Sequence, residues 1–257
     1  MAAADEKTGS LSRGLQILGI MAESRDGLPL TDIARKAGLS KSSTHRLLQT
    51  LVQEGFVAQH DDTSRYHLSL KLLSLASGLI ANLGLDQLVR PLLEELSQET
   101  RQTVHMALWD SYIAVYTQKI DAPGSIRMYS QVGKRVPMHC TGLGKALLAY
   151  LPKERVQEIV AADGLPGHTP NTLTKSKALF EHLALVRQRG YALDEEEHEE
   201  GIRCMAAPLL DRQNNVRGAV SITTLAFRVG RDQLLSWWPL LKECASQIAT
   251  ILEHHPS

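Results

Sequence analysis

The stretch LTDIARKAGLSKSSTHRLLQTL, residues 30–51, constrains the fold of this chain more than any other segment. Two segments with helical periodicity flank the short turn AGLS, and Ser40 is well placed to cap the second helix. In that second helix Leu47, Leu48, Leu51 and the methyl of Thr44 share one face, whereas the opposite face is polar and partly basic. Two short helices joined in this way predict a helix-turn-helix motif.

The segments around this motif predict a winged domain. Leu11, Leu15, Leu18 and Met21 recur at helical spacing and indicate an amphipathic helix before the motif. Two short β-like stretches, FVAQH and RYHLSL, follow the motif and are joined by the turn DDTS. A helix-turn-helix pattern alone is equally well explained by a solvated surface helix, but the hairpin completes the order of a winged helix-turn-helix domain.

A helix that reads DNA exposes short polar or basic side chains in its N-terminal half. Arg35, Lys36, Lys41 and Arg46 create local positive potential, although 28 basic and 28 acidic residues cancel over the whole chain. We expect contacts to base edges along the exposed face, contacts to phosphates at the helix start, and one backbone or minor-groove contact from the hairpin. The predicted DNA-contacting residues are Lys41, Ser42, Ser43, Thr44, His45, Arg46, Gln49 and Arg65.

The remainder of the chain alternates helical and strand-like segments, which predicts an α+β domain. With 257 residues and a hydrophobic fraction of 43%, the chain is large enough for a second core. The predicted division is a disordered leader over residues 1–9, a winged helix-turn-helix domain over 10–70, a linker helix over 71–84 and an α+β domain over 85–257.

Cysteine usage and the apolar runs indicate the compartment. The three cysteines have no framework spacing, which favours free thiols in a reducing environment. The polar N-terminal segment lacks a signal core, and no apolar run is long enough to cross a bilayer. These features predict a soluble cytoplasmic protein without a membrane partner.

Long motifs in the expected order resemble the IclR family of bacterial transcriptional regulators. They include SRGLQILGIMAE and YHLSLKLLSLA, then RMYSQVGKRVPMHCTGLGKALLAYLP and GYALDEEEHEEGIRCMAAPLLD. The resemblance implies a winged helix-turn-helix domain, a linker helix and a GAF/PAS-like effector-binding domain. It also implies a homodimer, often a homotetramer, that binds a palindromic operator on double-stranded DNA and responds to a small carboxylate effector.

The segment HCTGLGKALL, residues 139–148, is a candidate for the carboxylate site. A glycine-flanked loop that runs into a helix offers free amides to an anion, although the glycines could equally serve the turn geometry alone. The family resemblance implies that the amides of Gly142 and Leu143 hold the carboxylate and that five further positions line the pocket. The implied effector-binding residues are Met128, Gly142, Leu143, Asp194, Cys204, Ser221 and Thr223.

The segment KIDAPGSIRMYSQVGKRVPMHCTGLGKALLA is similar to the sugar-acid-sensing branch of the family. That resemblance implies an effector such as 2-keto-3-deoxygluconate or an aldonate. An aromatic acid, or a small keto acid such as glyoxylate or pyruvate, is the alternative, and the aromatic content of only 5% disfavours stacking on an aromatic ligand. Family habit favours a repressor that its effector releases from DNA.

The acidic segment DEEEHEEG, residues 194–201, raises two other hypotheses. An enzyme would use Cys140 or Cys204 as nucleophile and His139 or His198 as base, but no catalytic signature surrounds either cysteine. The same residues lack the compact spacing of a zinc motif. We therefore predict a regulator with no enzymatic activity, no cofactor and no metal.

Overall fold

The computed structural model of this chain describes residues 9–24, 26–60, 62–76, 85–122 and 130–254. Contacts divide the chain into two compact units, Met1–Leu83 and Gly84–Ser257. Three predictions fall wholly or largely outside the described residues: the leader, the second half of the linker helix and Met128. Of the predicted linker helix, residues 71–76 are described and are helical.

In the described part of the first unit, three helices and a two-stranded hairpin precede the helical residues 71–76. In chain order these are α1 (Ser10–Ala22), α2 (Leu30–Ala37), α3 (Lys41–Gln53), β1 (Val57–Gln59) and β2 (Tyr66–Leu68). The two strands are antiparallel, with Val57 opposite Leu68. This order is that of a winged helix-turn-helix domain.

Two residues build the turn between α2 and α3. Gly38 ends α2 with φ of 65°, a left-handed conformation that glycine adopts without strain. Ser40 caps α3, as the sequence predicts, because its Oγ accepts a hydrogen bond from the Ser43 amide at 3.2 Å. The two helices then pack with α1 around Ile17 and Leu48, both fully buried.

Helix α1 does not bury all of its predicted apolar face. Ile17 and Met21 are buried in the core, but Leu11 is 76% exposed and Leu15 is 60% exposed. The spacing of leucines predicts a helix correctly, yet a 3.6-residue period cannot decide which of two neighbouring apolar stripes contacts the core. Leu11 and Leu15 therefore form an apolar surface on the first unit.

The second unit is an antiparallel sheet with helices. Its elements are α4 (Leu85–Thr100), β3 (Thr103–Trp109), β4 (Ala114–Ile120), α5 (Gly142–Leu148), α6 (Lys153–Asp163), α7 (Ser176–Arg189), β5 (Ala192–Glu195), β6 (Ile202–Leu210), β7 (Val216–Leu225), α8 (Arg231–Ser236) and α9 (Trp238–His254). The strand order is β4-β3-β7-β6-β5. Helix α5 packs on β6 and β7, and α9 packs on α4 and β6. Among the helices in the described ranges, none combines the length and apolarity needed to cross a bilayer.

The closing helix is interrupted where the sequence suggests continuity. A single helix over residues 231–254 is the simplest interpretation, but α8 ends at Ser236 and α9 begins at Trp238. Pro239 lacks an amide hydrogen, so it fits the first turn of a new helix and interrupts a helix that runs through it. Strand β5 was not predicted, because Asp194 and Glu195 at its end belong to the acidic segment 194–201.

Gly144 occupies a position that only glycine fits. A Cβ atom there would lie 2.4 Å from the carbonyl oxygens of both Pro137 and Met138. We expect Gly144→Ala to lower the free energy of unfolding by about 1–3 kcal/mol, measured by denaturant unfolding, since the backbone must move to relieve this overlap. Gly230→Ala is the matched control, because a Cβ there meets no heavy atom within 4 Å. Equal effects of the two substitutions would contradict this interpretation.

Candidate functional site

Helix α3 exposes the polar face that the sequence predicts. Its first turn is ordered by Ser40, whose Oγ lies 3.1 Å from Ser42 Oγ and 2.9 Å from Ser43 Oγ. Ser43 is half-buried. The exposed residues of the predicted DNA-contacting set are Lys41, Ser42, His45, Arg46 and Gln49.

Thr44 is a correction to the predicted DNA-contacting set. Its side chain is fully buried. Its Oγ1 donates a hydrogen bond to the Ser40 carbonyl at 2.9 Å, so the hydroxyl is used within the helix. Thr44 therefore supports α3 from inside the domain and presents no side-chain group to a partner.

Arg65 has a structural role in the hairpin. Its Nε donates to the Asp26 carbonyl at 3.1 Å, and its Nη2 donates to the Gly27 carbonyl at 3.1 Å. These bonds tie the start of β2 to the turn before α2 and use two of the five guanidinium N–H donors. A contact between Arg65 and DNA stays a prediction.

The register of the sheet in the second unit gathers polar side chains on one face. Residues paired directly across strands project to the same side, and so do residues two positions apart. One row crosses β5, β6, β7 and β3 at Asp194, Cys204, Thr223 and Thr103. The adjacent row crosses β6, β7 and β3 at Ala206, Ser221 and His105.

A cavity lies against these rows. Its empty volume is about 450 Å³, a figure that includes space open to solvent. Among the predicted effector-binding residues, those that line it are Gly142, Leu143, Asp194, Cys204, Ser221 and Thr223. The lining residues that sequence reasoning did not assign to a ligand pocket are His105, Tyr116, Ser130, Thr141, His198, Glu199 and Ile202.

The amide donors of this cavity come from the start of α5. Thr141 caps the helix, since its Oγ1 accepts from the Gly144 amide at 2.9 Å and donates to the Pro137 carbonyl at 2.7 Å. The amides of Gly142 and Leu143 have no hydrogen-bond acceptor among the described residues. Both residues line the cavity, so their amides are available to a ligand.

The close approach of α5 to the sheet depends on Gly142. A Cβ atom at this position would lie 3.3 Å from the Cβ atoms of Cys204 and Ala206, both on β6. Any larger residue would push the helix start away from the strand. The glycine therefore serves packing, which is one of the two interpretations left open by the sequence, and its role in ligand access stays a prediction.

His105 is the central residue that the sequence did not reveal. Its Nδ1 lies 3.1 Å from Thr223 Oγ1 and its Nε2 lies 2.8 Å from Ser130 Oγ. Burial, aided by the charge of Lys119, lowers the pKa of His105 to about 3, so the imidazole is neutral. Its only sequence signal is its position on β3, and the pairing with Ser221 was needed to place it.

Asp194 is an unusual acid for an anion site. It is only 2% exposed, and its Oδ1 accepts a hydrogen bond from the Glu197 amide at 2.8 Å. Burial raises the pKa of Asp194 to about 7, so a large fraction of this carboxyl carries a proton near neutral pH. In that form it donates a hydrogen bond and does not repel a carboxylate ligand.

Cys204, in the wall of the cavity, is not a reactive thiol. Burial raises the pKa of the Cys204 thiol, and its Sγ lies 3.3 Å from Thr223 Oγ1. A neutral thiol is a poor nucleophile. Cys244 is buried in α9, where its Sγ lies 3.8 Å from the Leu92 carbonyl oxygen.

A buried ion pair fixes the acidic segment behind the cavity. The Lys145 ammonium, which is fully buried, donates a hydrogen bond to a carboxylate oxygen of Glu197, which is 5% exposed. Burial raises the pKa of Glu197, and the charge of Lys145 opposes that rise. The Thr172 hydroxyl donates to the Glu197 carbonyl at 2.6 Å and holds the same turn from the other side. The acidic run DEEEHEEG allows for salt bridges to neighbouring Arg and Lys, but it does not indicate which acid pairs with which lysine.

A winged unit with an exposed polar helix and a second unit with a polar ligand cavity define the class of ligand-responsive DNA-binding regulators. Two family models match the chain, the "IclR helix-turn-helix domain" over residues 10–61 and the "Bacterial transcriptional regulator IclR C-terminal" domain over residues 78–250. The chain therefore belongs to the IclR family of bacterial transcriptional regulators. It is a transcriptional regulator and not an enzyme.

Characterised relatives match over nearly the whole chain. The HTH-type transcriptional regulator KdgR of Dickeya chrysanthemi is 35% identical over 254 residues, covering 98% of this chain and 83% of KdgR. The transcriptional repressor IclR of Escherichia coli is 35% identical over 241 residues, covering 93% of this chain and 88% of the repressor. A crystal structure of an IclR homologue from Microbacterium hydrocarbonoxydans, complexed with 4-hydroxybenzoate, superposes with a TM-score of 0.76 at 25% identity, covering 96% of this chain and 100% of that chain.

The ion pair gives a direct test of what holds the cavity together. We expect Glu197→Gln to lower the free energy of unfolding by about 3–5 kcal/mol, because it leaves the buried Lys145 ammonium without a counter-charge. Denaturant unfolding followed by circular dichroism measures the change. Glu158→Gln is the control, since Glu158 pairs with Arg155 at the surface, where a loss below about 1 kcal/mol is expected. A loss at Glu197 no larger than at Glu158 would show that the pair is not needed.

Proposed function

We propose that this protein is a cytoplasmic repressor whose operator binding is released by a small carboxylate effector, best matched by a sugar acid such as 2-keto-3-deoxygluconate or an aldonate. In this proposal residues 10–70 bind DNA, residues 71–84 link the units and residues 85–257 bind the effector. The observation that carries it is the cavity, where residues from α5, β5, β6 and β7 meet around one space.

The chemistry of the cavity supports a carboxylate ligand. Two unpaired amides at Gly142 and Leu143 offer hydrogen bonds to carboxylate oxygens, and the protonated form of Asp194 adds a third donor. The hydroxyls of Ser221 and Thr223 are buried and line the same space. A ligand with a carboxylate at one end and hydroxyl or keto groups along its length would satisfy these groups together.

The choice of a sugar acid rests on polarity and on the relatives. KdgR is among the proteins most similar to this chain, and residues 119–149 resemble the sugar-acid-sensing branch. The alternative effector is an aromatic acid, since a homologue of the same fold is complexed with 4-hydroxybenzoate. Tyr116 lines the cavity and packs edge-on against His105 with ring centroids 5.8 Å apart, which gives an aromatic ligand one partner. A small keto acid such as glyoxylate or pyruvate would leave most of these groups unsatisfied.

The operator is proposed to be palindromic and bound by a homodimer, which could assemble further into a homotetramer. Leu11 and Leu15 on α1 form an apolar surface on the unit that also carries α3, the helix proposed to read DNA (the recognition helix). A second copy of the chain would cover this apolar surface. Paired recognition helices would then contact half-sites on one face of the duplex, about one helical turn or a multiple of it apart.

Arg46 tests the DNA contact. We expect Arg46→Ala to weaken binding to an operator fragment selected from genomic DNA by about 1–3 kcal/mol, because the guanidinium reads a base edge. Gel-retardation assays at several salt concentrations measure the change. Arg90→Ala is the control, because Arg90 is an exposed arginine of α4 that pairs with Glu94 at 2.8 Å. An unchanged affinity and salt dependence for Arg46→Ala would remove Arg46 from the interface.

Asp194 tests the effector site. A thermal-shift screen of sugar acids, keto acids and aromatic acids against the full chain first identifies the ligand. We expect Asp194→Ala to weaken binding of that ligand by about 10- to 100-fold, because a buried hydrogen bond to a charged group is lost. Binding to the operator in the absence of the ligand should be retained. Asp194→Asn restores a donor and should recover part of the affinity. Asp232→Ala, at an exposed acid of α8, is the control. A full effector response in Asp194→Ala would place the ligand elsewhere.

A further inference from the structure

Three histidines and a cysteine meet beside the effector cavity, although they come from three distant segments of the chain. One ligand atom from each of His139, Cys140 and His168 lies within 4.8 Å of the other two. His198 adjoins this group, since its Nδ1 lies 3.7 Å from Cys140 Sγ and its ring centroid lies 5.1 Å from that of His168. Ring packing explains why imidazoles gather, but it gives no reason for a thiol at their centre.

We propose that His139, Cys140 and His168 bind a transition-metal ion, with Zn²⁺ as the expected occupant. Imidazole nitrogen and thiolate sulfur are the ligands that Zn²⁺ prefers in proteins, and carboxylate-preferring ions such as Mg²⁺ and Ca²⁺ would not choose this set. His198 is the nearest side chain for a fourth position. The proposal revises the expectation of no metal, which considered only compact spacings along the sequence.

The hydrogen bond of His139 prepares this residue as a ligand. Its Nε2 lies 2.9 Å from the Pro166 carbonyl, which can only accept, so Nε2 carries the proton and Nδ1 keeps its lone pair. A ligating histidine usually donates its other ring nitrogen to a carbonyl or carboxylate in this way.

The cluster is dry on one side and open on the other. Cys140 is fully buried and His139 is 6% exposed, whereas His168 is exposed and gives an ion access from solvent. In a tetrahedral zinc site neighbouring ligand atoms lie about 3.5 Å apart, so the ion would draw the side chains about 1 Å closer. The exposed His168 can supply most of that movement by rotating its ring.

Cys140 would bind an ion as its thiolate, so metal binding must displace the thiol proton. A bound dication withdraws that proton and holds the thiolate. Because His198 also lines the effector cavity, an ion at this cluster would lie next to the effector.

Cobalt substitution on the full chain tests this site without reference to DNA or effector. The chain is treated with a chelator, then titrated with Co²⁺ and back-titrated with Zn²⁺. We expect one Co²⁺ per chain, with a thiolate-to-cobalt charge-transfer band and the visible bands of tetrahedral Co²⁺, all lost as Zn²⁺ displaces it. Cys140→Ser should remove the charge-transfer band and weaken binding by about tenfold or more.

Two further variants make the test decisive. Cys244→Ser, at a buried cysteine of α9, should leave the cobalt spectrum unchanged and controls for general disturbance of the fold. His168→Ala changes an exposed side chain that folding does not need, and it should weaken Co²⁺ binding by a similar factor even if Cys140→Ser fails to fold. No charge-transfer band in the unaltered chain, a band that survives in Cys140→Ser, or full affinity in His168→Ala would each overturn the proposal.

Discussion

The buried ion pair between Lys145 and Glu197 is the contact on which the effector unit depends. It joins α5, which supplies the free amides, to the turn after β5, which follows Asp194 and carries His198. Replacing such a pair by apolar side chains often costs no stability, so its presence is better explained by position than by energy. A charge pair with one partner on each element allows only one register between them. It therefore fixes where the amide donors lie relative to the buried acid.

Burial acts in the same direction on three ionisable groups of the cavity wall. Burial suppresses the charge of His105 and raises the pKa values of Asp194 and Cys204, so each group is driven toward its uncharged form. A site of neutral donors can accept an anion without a fixed positive charge opposite it. The same condition makes Cys204 a poor nucleophile, because burial keeps its thiol protonated.

The sequence predicts those features that depend on neighbours in the chain. The turn between α2 and α3, the Ser40 cap and the antiparallel pairs of strands are local, and the structure contains them. The apolar surface at Leu11 and Leu15 could not be predicted, since helical periodicity defines a stripe but not the partner that covers it. Thr44 illustrates a related limit. It lies on the boundary between the polar and apolar faces of α3, so its hydroxyl suggests a DNA contact although the side chain is buried.

The residues of the effector unit whose roles were not predicted from the sequence have one feature in common. His105, Glu197 and the group around Cys140 each gain their role from residues more than twenty positions away, through sheet register or loop contacts. Family resemblance recovered pocket positions that spacing could not, because it transfers three-dimensional neighbours onto the sequence. The resemblance assigned no role to His168, because the proposed metal site forms only where three separate segments of the chain come together.

A regulator of this design must convert ligand binding in one unit into a change of DNA affinity in the other. The effector can shift that balance only by the difference between its affinities for the two states, so the cavity must differ between them. A group that can be either charged or protonated near neutral pH is able to supply such a difference. Asp194, with a pKa of about 7, is such a group. Under the proposed function, a state that exposes Asp194 to water would favour its charged form and would repel a carboxylate effector. A state that closes the site would favour its protonated form, so the proton and the proposed effector would stabilise the same conformation.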